Sequence, residues 1–197
     1  MNTALVTATA SVVTVAIGFL LTHWGATRQN RRQAQLTRLE RQLSQLYGPL
    51  YAMTQSNGIA YRAMRDRYDP EHLFDQRTTE SIARISADQR EIYRLWMVTV
   101  LQPTSRKACE LLLTHADLLL DEAMPACAMQ YFTHVRGYEA VLAQWESGDH
   151  AELFSLVPYP QHFTDYVAAS FKTLQAQQAN LLTRQGSRYS GIWSMNG

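Results

Sequence analysis

The sequence predicts an all-α protein: an N-terminal transmembrane helix that continues into a kinked stalk and then a cytoplasmic bundle of about four to six helices. Three observations carry that expectation. No run alternates apolar and polar residues with the period of two that a half-buried strand requires. Apolar residues instead recur at three- and four-residue spacing along most of the chain. Residues 3–22, "TALVTATASVVTVAIGFLLT", carry no charge, and twenty residues is about the length a bilayer core demands. The whole chain of 197 residues is long enough for one domain with a real core.

The N-terminal segment reads as an uncleaved anchor. A signal peptide needs a basic stretch ahead of its apolar part and a small-residue cleavage site behind it. Here Arg28, Arg31, Arg32, Arg38 and Arg41 all follow the apolar stretch, opposed only by Glu40. "THWGAT" is a poor cleavage site, and His23 and Trp24 sit where an interfacial belt belongs. The positive-inside rule then predicts a single-pass bacterial inner-membrane protein, N-terminus outside and the bulk of the chain in the cytoplasm. Cys109 and Cys127 fit a reducing compartment, where free thiols act as small buried hydrophobes. Arg28, Arg31 and Arg32 are placed to meet anionic lipid head groups.

Four segments follow: the anchor at 1–27, a juxtamembrane basic and leucine-seam helix at 28–56, a helical bundle at 57–184 and a flexible tail at 185–197. Leu36, Leu39, Leu43, Leu46, Leu50 and Met53 lie in one register. Traced back into the anchor, that register meets Ala4, Ala8, Ser11, Val15, Gly18, Thr22 and Gly25, nearly all small. Small residues let membrane helices approach closely. One reading is therefore self-association through Ser11, Gly18, Leu36, Leu39, Leu43 and Leu46, extended as a short coiled coil. The other packs the leucines on the chain's own downstream helices. Gly48 and Pro49 interrupt the seam without shifting its phase, which predicts a kinked but continuing helix with that pair as its bend.

Beyond the seam, "SNG" at 56–58 marks a turn or a weak point. Asp69 and Pro70 resemble an N-cap and a first helical residue. Thr78 or Thr79 caps an amphipathic helix that Pro103 ends, and a further helix runs on towards Met124. Pro125 opens the next helix, "ESGDH" closes it, and "VPYPQH" is an extended connector. The last helix starts near Gln161 and ends near Gln185. Trp96 and Trp145 fall on apolar faces and read as core.

Chemistry is sparse. A net charge of +1 argues against nucleic acid. There is no Gly-rich phosphate loop, nucleophile elbow, Cys-x-x-Cys or His-Glu-x-x-His, so no cofactor and no metal are expected. The densest polar cluster is "THADLLLDE" at 114–122, where His115, Asp117 and Asp121 meet His134 of the next helix if the two form a hairpin. Bundle metal sites draw on such residues, but with Glu-x-x-His pairs that are missing here. The sequence thus points to a membrane-anchored helical interaction or scaffold protein that binds a protein partner or itself. The alternatives are a ligand- or metal-dependent enzyme or sensor using the His115, Asp117, Asp121 and His134 region, or a membrane-coupled signalling or defence component.

"QLYGPLYAM" at 45–53, "EAMP" at 122–125, the series His134, Tyr138, Val141 and Trp145, and "PYP" at 158–160 together resemble a set of uncharacterised bacterial proteins. Those proteins have one N-terminal membrane span, a Leu-Tyr-Gly-Pro-Leu element and a helical cytoplasmic region. The resemblance implies the same architecture and an inner-membrane location, and assigns no catalytic residue.

Overall fold

The structure, a computed structural model, describes residues 23–24 and 27–193, with side chains to residue 183. Helix α1 covers residues 27–68, α2 is Leu73–Gln76, α3 is Thr79–Arg84, and α4 covers residues 87–114. Helices α5, Ala126–Glu146, and α6, Gln161–Trp193, complete the bundle. A short 3₁₀ turn, Ala116–Leu118, lies between α4 and α5. Among the described residues there is no strand.

The expected inner-membrane location is corrected. Among the described residues, no helix is long and apolar enough to cross a membrane. The long described helices alternate charged and apolar faces, and charge within a span is costly. The segment at 3–22, with Ser11 and Gly18, lies outside the described residues. Of the basic flank, Arg28 stands over the Trp24 ring at 5.3 Å, while Arg31 is exposed and Arg32 half-buried.

Helices α1 and α4 each pass through a proline by way of a π-helical stretch. In α1, Gln42–Tyr47 is π-helical and α-helical geometry resumes at Gly48–Tyr68. The Gly48 N–H donates to the Leu43 carbonyl, five residues back. An ordinary α turn would drive the Pro49 ring into the Gln45 carbonyl; the wider turn relieves that clash. Gly48 is required by the geometry, because a Cβ there would overlap the Leu43 carbonyl oxygen. In α4, Met97–Leu101 is π-helical, Gln102 donates to the Met97 carbonyl, and Pro103 follows. Pro103 therefore does not end a helix as expected, and "SNG" at 56–58 lies within α1.

The leucine seam is buried in the chain's own bundle. Leu46 and Leu50 are completely buried, Leu36 and Leu39 nearly so, and Leu43 is half-buried against the same core. Each buried leucine contributes about 2 kcal/mol of apolar transfer free energy. Leu39, Leu43 and Leu46 share one core cluster with Leu112, Leu118, Val167 and Leu174 of this chain, as the second of the two readings has it. Nor is 28–56 a separate stalk, since α1 runs unbroken past that boundary into the bundle.

Asn57 Nδ2 donates to the Leu101 carbonyl at 2.9 Å, while Gln42 Nε2 donates to the Leu118 carbonyl at 2.9 Å. Helices α1 and α4 are thus antiparallel. Tyr93 meets Tyr138, Gln102 reaches Val135 and Ser105 faces Tyr131, so α4 and α5 run antiparallel as a hairpin. Around these helices the core has two lobes. One gathers Leu46, Tyr47, Leu112, Tyr131, Phe163 and Leu174; the other gathers Met64, Phe74, Tyr93, Tyr138, Trp145 and Phe154.

The second lobe is closed by α2 and α3. Asp69 is fully buried, and its carboxylate accepts from the N–H groups of Leu73 and Phe74 at 2.9 and 2.7 Å. It caps α2, although the helix starts three residues later than the Asp-Pro pair predicts. Thr78 and Ser86 each form a reciprocal capping box, with Ser81 and Gln89. Two caps eight residues apart divide the expected continuous helix from 79 into α3 and α4. At the other end, α6 extends to Trp193, so the expected tail at 185–197 is helical over most of its length.

Candidate functional site

The acidic stretch between α4 and α5 is held by α1. Arg41 pairs with Asp117 at 3.4 Å between exposed side chains, and Gln42 holds the Leu118 carbonyl. Tyr47, whose ring is fully buried, continues the series. The Leu120 N–H donates to the Tyr47 hydroxyl at 3.0 Å, which lies 2.9 Å from the Tyr166 hydroxyl. Tyr166 in turn donates to Asp121 Oδ2 at 2.8 Å. Because Asp121 only accepts, the protons run one way: Leu120 N–H to Tyr47, Tyr47 to Tyr166, Tyr166 to the carboxylate. Chains of this kind polarise and strengthen one another. Burial, then the Tyr47 and Asp121 contacts, push the Tyr166 phenol far above its ordinary range.

The four residues singled out from the sequence therefore have separate partners. Asp117 faces Arg41, and Asp121 faces Tyr166. His115 ends α4, its N–H on the Leu111 carbonyl and its own carbonyl accepting from Leu118. His134 is buried on α5, with Nδ1 2.7 Å from the Val157 carbonyl. A carbonyl cannot donate, so Nδ1 carries the proton and Nε2 is bare. Burial lowers the His134 pKa to about 4, keeping the ring neutral near pH 7. Its ring meets Tyr138 and Tyr159 edge-on at 5.1 and 5.3 Å. Among the described residues, no group of three or more His, Cys, Asp or Glu is placed to hold a metal ion.

Beside the Arg41–Asp117 pair an open groove of about 540 Å³ runs along α1, lined by Asn30, Gln33, Thr37, Arg38 and Arg41 opposite Asp117 and Leu118. Its lining is mixed, with Ala34 and Leu118 beside the polar residues, and Arg38 adds one positive charge to the Arg41–Asp117 pair.

A different cluster, which the sequence gives no reason to expect, lies in the second lobe. Arg77 joins α2 to α3 with φ +51°, the left-handed region that a residue bearing a Cβ rarely adopts. That conformation turns its guanidinium inward, with Cζ 4.9 Å from the Phe154 ring centre. Its Nη1 is buried, and no protein acceptor lies within hydrogen-bond reach. The tyrosines around it have partners of their own. Tyr93 and Tyr138 share a hydroxyl contact of 2.6 Å, and Tyr61 donates to Asp75 at 2.7 Å. Asp75 is also paired with Arg65 at 3.0 Å, so the carboxylate closest to Arg77 in sequence is already committed. Burial raises the pKa of Tyr61, Tyr93 and Tyr138, and the positive charge of Arg77 opposes that rise in all three. The same charge adds to the lowering at His134.

No family model, curated protein or solved structure matches the chain.

Proposed function

We propose that the chain is a non-enzymatic helical interaction module and that it binds a second copy of itself through the turn end of the α4–α5 hairpin. One observation carries this reading: Leu113 and Met129 are 61% and 53% exposed at that end of the hairpin. Helical spacing puts Leu113 on the side of α4 that bears Arg106, and Met129 on the outer side of α5 beside the half-buried Phe132. The Arg106–Glu139 ion pair, at 2.6 Å, bounds the patch towards the middle of the hairpin. Leu120, 40% exposed, lies in the connection between the two helices. Large apolar side chains grouped at one place on a surface mark interaction sites, whereas scattered ones do not.

Neither half of the Arg106–Glu139 pair is a reaction centre. The guanidinium holds the Glu139 carboxyl below its ordinary range, as a structural ion pair does. The two thiols are raised by burial, the opposite of an activated nucleophile.

The experiment is a measurement of solution mass across protein concentration, for the wild type and for Leu113→Glu and Met129→Glu. Concentration-dependent dimerisation that both substitutions abolish, with thermal stability unchanged, supports the module. A wild type that stays monomeric at every concentration, or a dimer indifferent to both changes, overturns it.

A further inference from the structure

We propose that the groove along α1 receives the exposed α4–α5 connection of a second copy, with Arg38 of each copy paired to Glu122 of the other. The contact presupposes that the chain self-associates through the turn end of the α4–α5 hairpin, and adds a polar half to that association.

The groove is built on one helix face. Asn30, Gln33, Ala34, Thr37, Arg38 and Arg41 recur at three- and four-residue spacing, a strip about 16 Å long on α1. All six are exposed, while Leu36 and Leu39 carry their buried side chains on the other side of the helix. Across the groove stand Asp117 and Leu118, held in place by the Gln42 hydrogen bond to the Leu118 carbonyl. Two guanidinium groups thus face one carboxylate. Arg41 and Asp117 are 3.4 Å apart and exposed, a pair of little energetic weight. Arg38 belongs to none of the ion pairs of the described residues.

Just past the groove the charge reverses. Leu119 is buried, then Leu120, Asp121, Glu122 and Ala123 project outward before Met124 packs on the core again. Asp121 gives one oxygen to Tyr166, and Glu122 belongs to no ion pair of the described residues. Opposite charges therefore lie side by side at the turn end without neutralising each other within the chain. A twofold axis near the turn end brings each onto its counterpart, because in such a contact residue i meets j and j meets i. The rest of the lining fits a length of chain better than a small anion. Asn30, Gln33 and Thr37 offer amide and hydroxyl groups to an extended backbone, whereas an anion would engage the guanidinium groups and leave that strip in water. Leu120, 40% exposed, lies in the same projecting segment and joins the polar contact to the apolar one. Charge pairs of this kind fix register and choice of partner more than they add affinity.

The test measures solution mass across protein concentration at low salt. It compares the wild type, Arg38→Glu, Glu122→Arg, the double variant and an equal mixture of the two single variants. Each dimer carries the contact twice, so either reversal alone sets like charges together at two points and should weaken dimerisation about tenfold. The mixture should dimerise like the wild type, because a heterodimer of the two single variants restores both pairs. The double variant should do the same. A mixture no better than its components overturns the pairing, and rescue in the double variant alone would place the pair within one chain and overturn it likewise. Single variants that dimerise like the wild type, in a dimer that Leu113→Glu still abolishes, overturn the groove contact and leave the self-association standing. A wild type that stays monomeric at every concentration overturns both.

Discussion

Gly137 tests whether the connector after α5 is seated as described. It lies inside α5, where replacing glycine by alanine ordinarily stabilises a helix by about 1 kcal/mol. In this structure a Cβ at 137 would overlap Ser155 Oγ and stand 3.5 Å from Ser155 Cβ. Ser155 is buried, and its Oγ accepts the Val157 N–H at 3.2 Å. Two residues on, the Val157 carbonyl takes the proton of His134. A methyl group at 137 must therefore turn the Ser155 hydroxyl out of its present hydrogen bonds or displace the connector. Overpacking of this kind costs about 1–3 kcal/mol, and the lost hydrogen bond adds about 1 kcal/mol. Against the helix gain, Gly137→Ala should be destabilising by about 2 kcal/mol. Ser155→Ala removes the colliding atom, so the double variant should recover most of that loss, a coupling of about 2 kcal/mol. Urea unfolding of the wild type, both single variants and the double variant measures each quantity. A Gly137→Ala protein more stable than the wild type would show that nothing is packed against that face, and the account of the connector would fail.

Three further outcomes follow from the same contacts. The His134 pKa is about 4 in the folded protein against an ordinary 6.5, so its contribution to stability is complete above pH 6.5. It declines as pH falls towards 4, by about 1.4 kcal/mol per pH unit at most and about 3 kcal/mol in all. Urea titrations at pH 7 and pH 5 should show this decline in the wild type and a smaller one in His134→Gln; equal slopes contradict the assignment. Tyr47→Phe removes the acceptor of the Leu120 N–H, at a cost of about 1–3 kcal/mol, and hydrogen exchange at Leu120 should accelerate while that at Leu50 changes only with global stability. Cys127 is half-buried, whereas Cys109 is 9% exposed with its thiol pushed up to about 12 by burial. An aromatic disulfide reagent should therefore label Cys127 first and reach Cys109 only through unfolding, and labelling at equal rates would count against the burial described.

Local signals read well and tertiary ones did not. The leucine register from 36 to 53 gave the helix and its phase, because one face of α1 does meet apolar neighbours. It could not say whose neighbours, since an apolar stripe is the same whether a second chain or α4 and α6 cover it. Thr78 and Ser86 are both sound capping residues, yet the apolar spacing across Ile82, Ile85 and Ile92 favoured one helix over two. Pro103 looked like a terminus because sequence rules weigh proline against an α turn, and the widened turn at Met97–Leu101 escapes that comparison. Asp117 and Asp121 were visible as a polar cluster. Their partners, Arg41 and Tyr166, lie far away along the chain and left no trace in local spacing. Arg77 was the least legible of all: a single arginine in a loop carries no pattern, and its importance rests on a backbone angle and on what surrounds it.

The widened turns ahead of Pro49 and Pro103 also bear on how the chain folds. A helix grows cheaply once nucleated, because each added residue closes one four-back hydrogen bond. At 42–47 and at 97–101 that sequence of identical steps is interrupted by bonds that reach five back. Growth from either side has to stop there and begin again with the expense of a new nucleus. Asn57 of α1 donates to Leu101 in the α4 junction, and Gln42 at the α1 junction donates to Leu118 in the 3₁₀ turn after α4. Peptides of 27–68 or 87–114 made alone should each be less helical than the same segment within the bundle, with the loss centred on the interrupted turns.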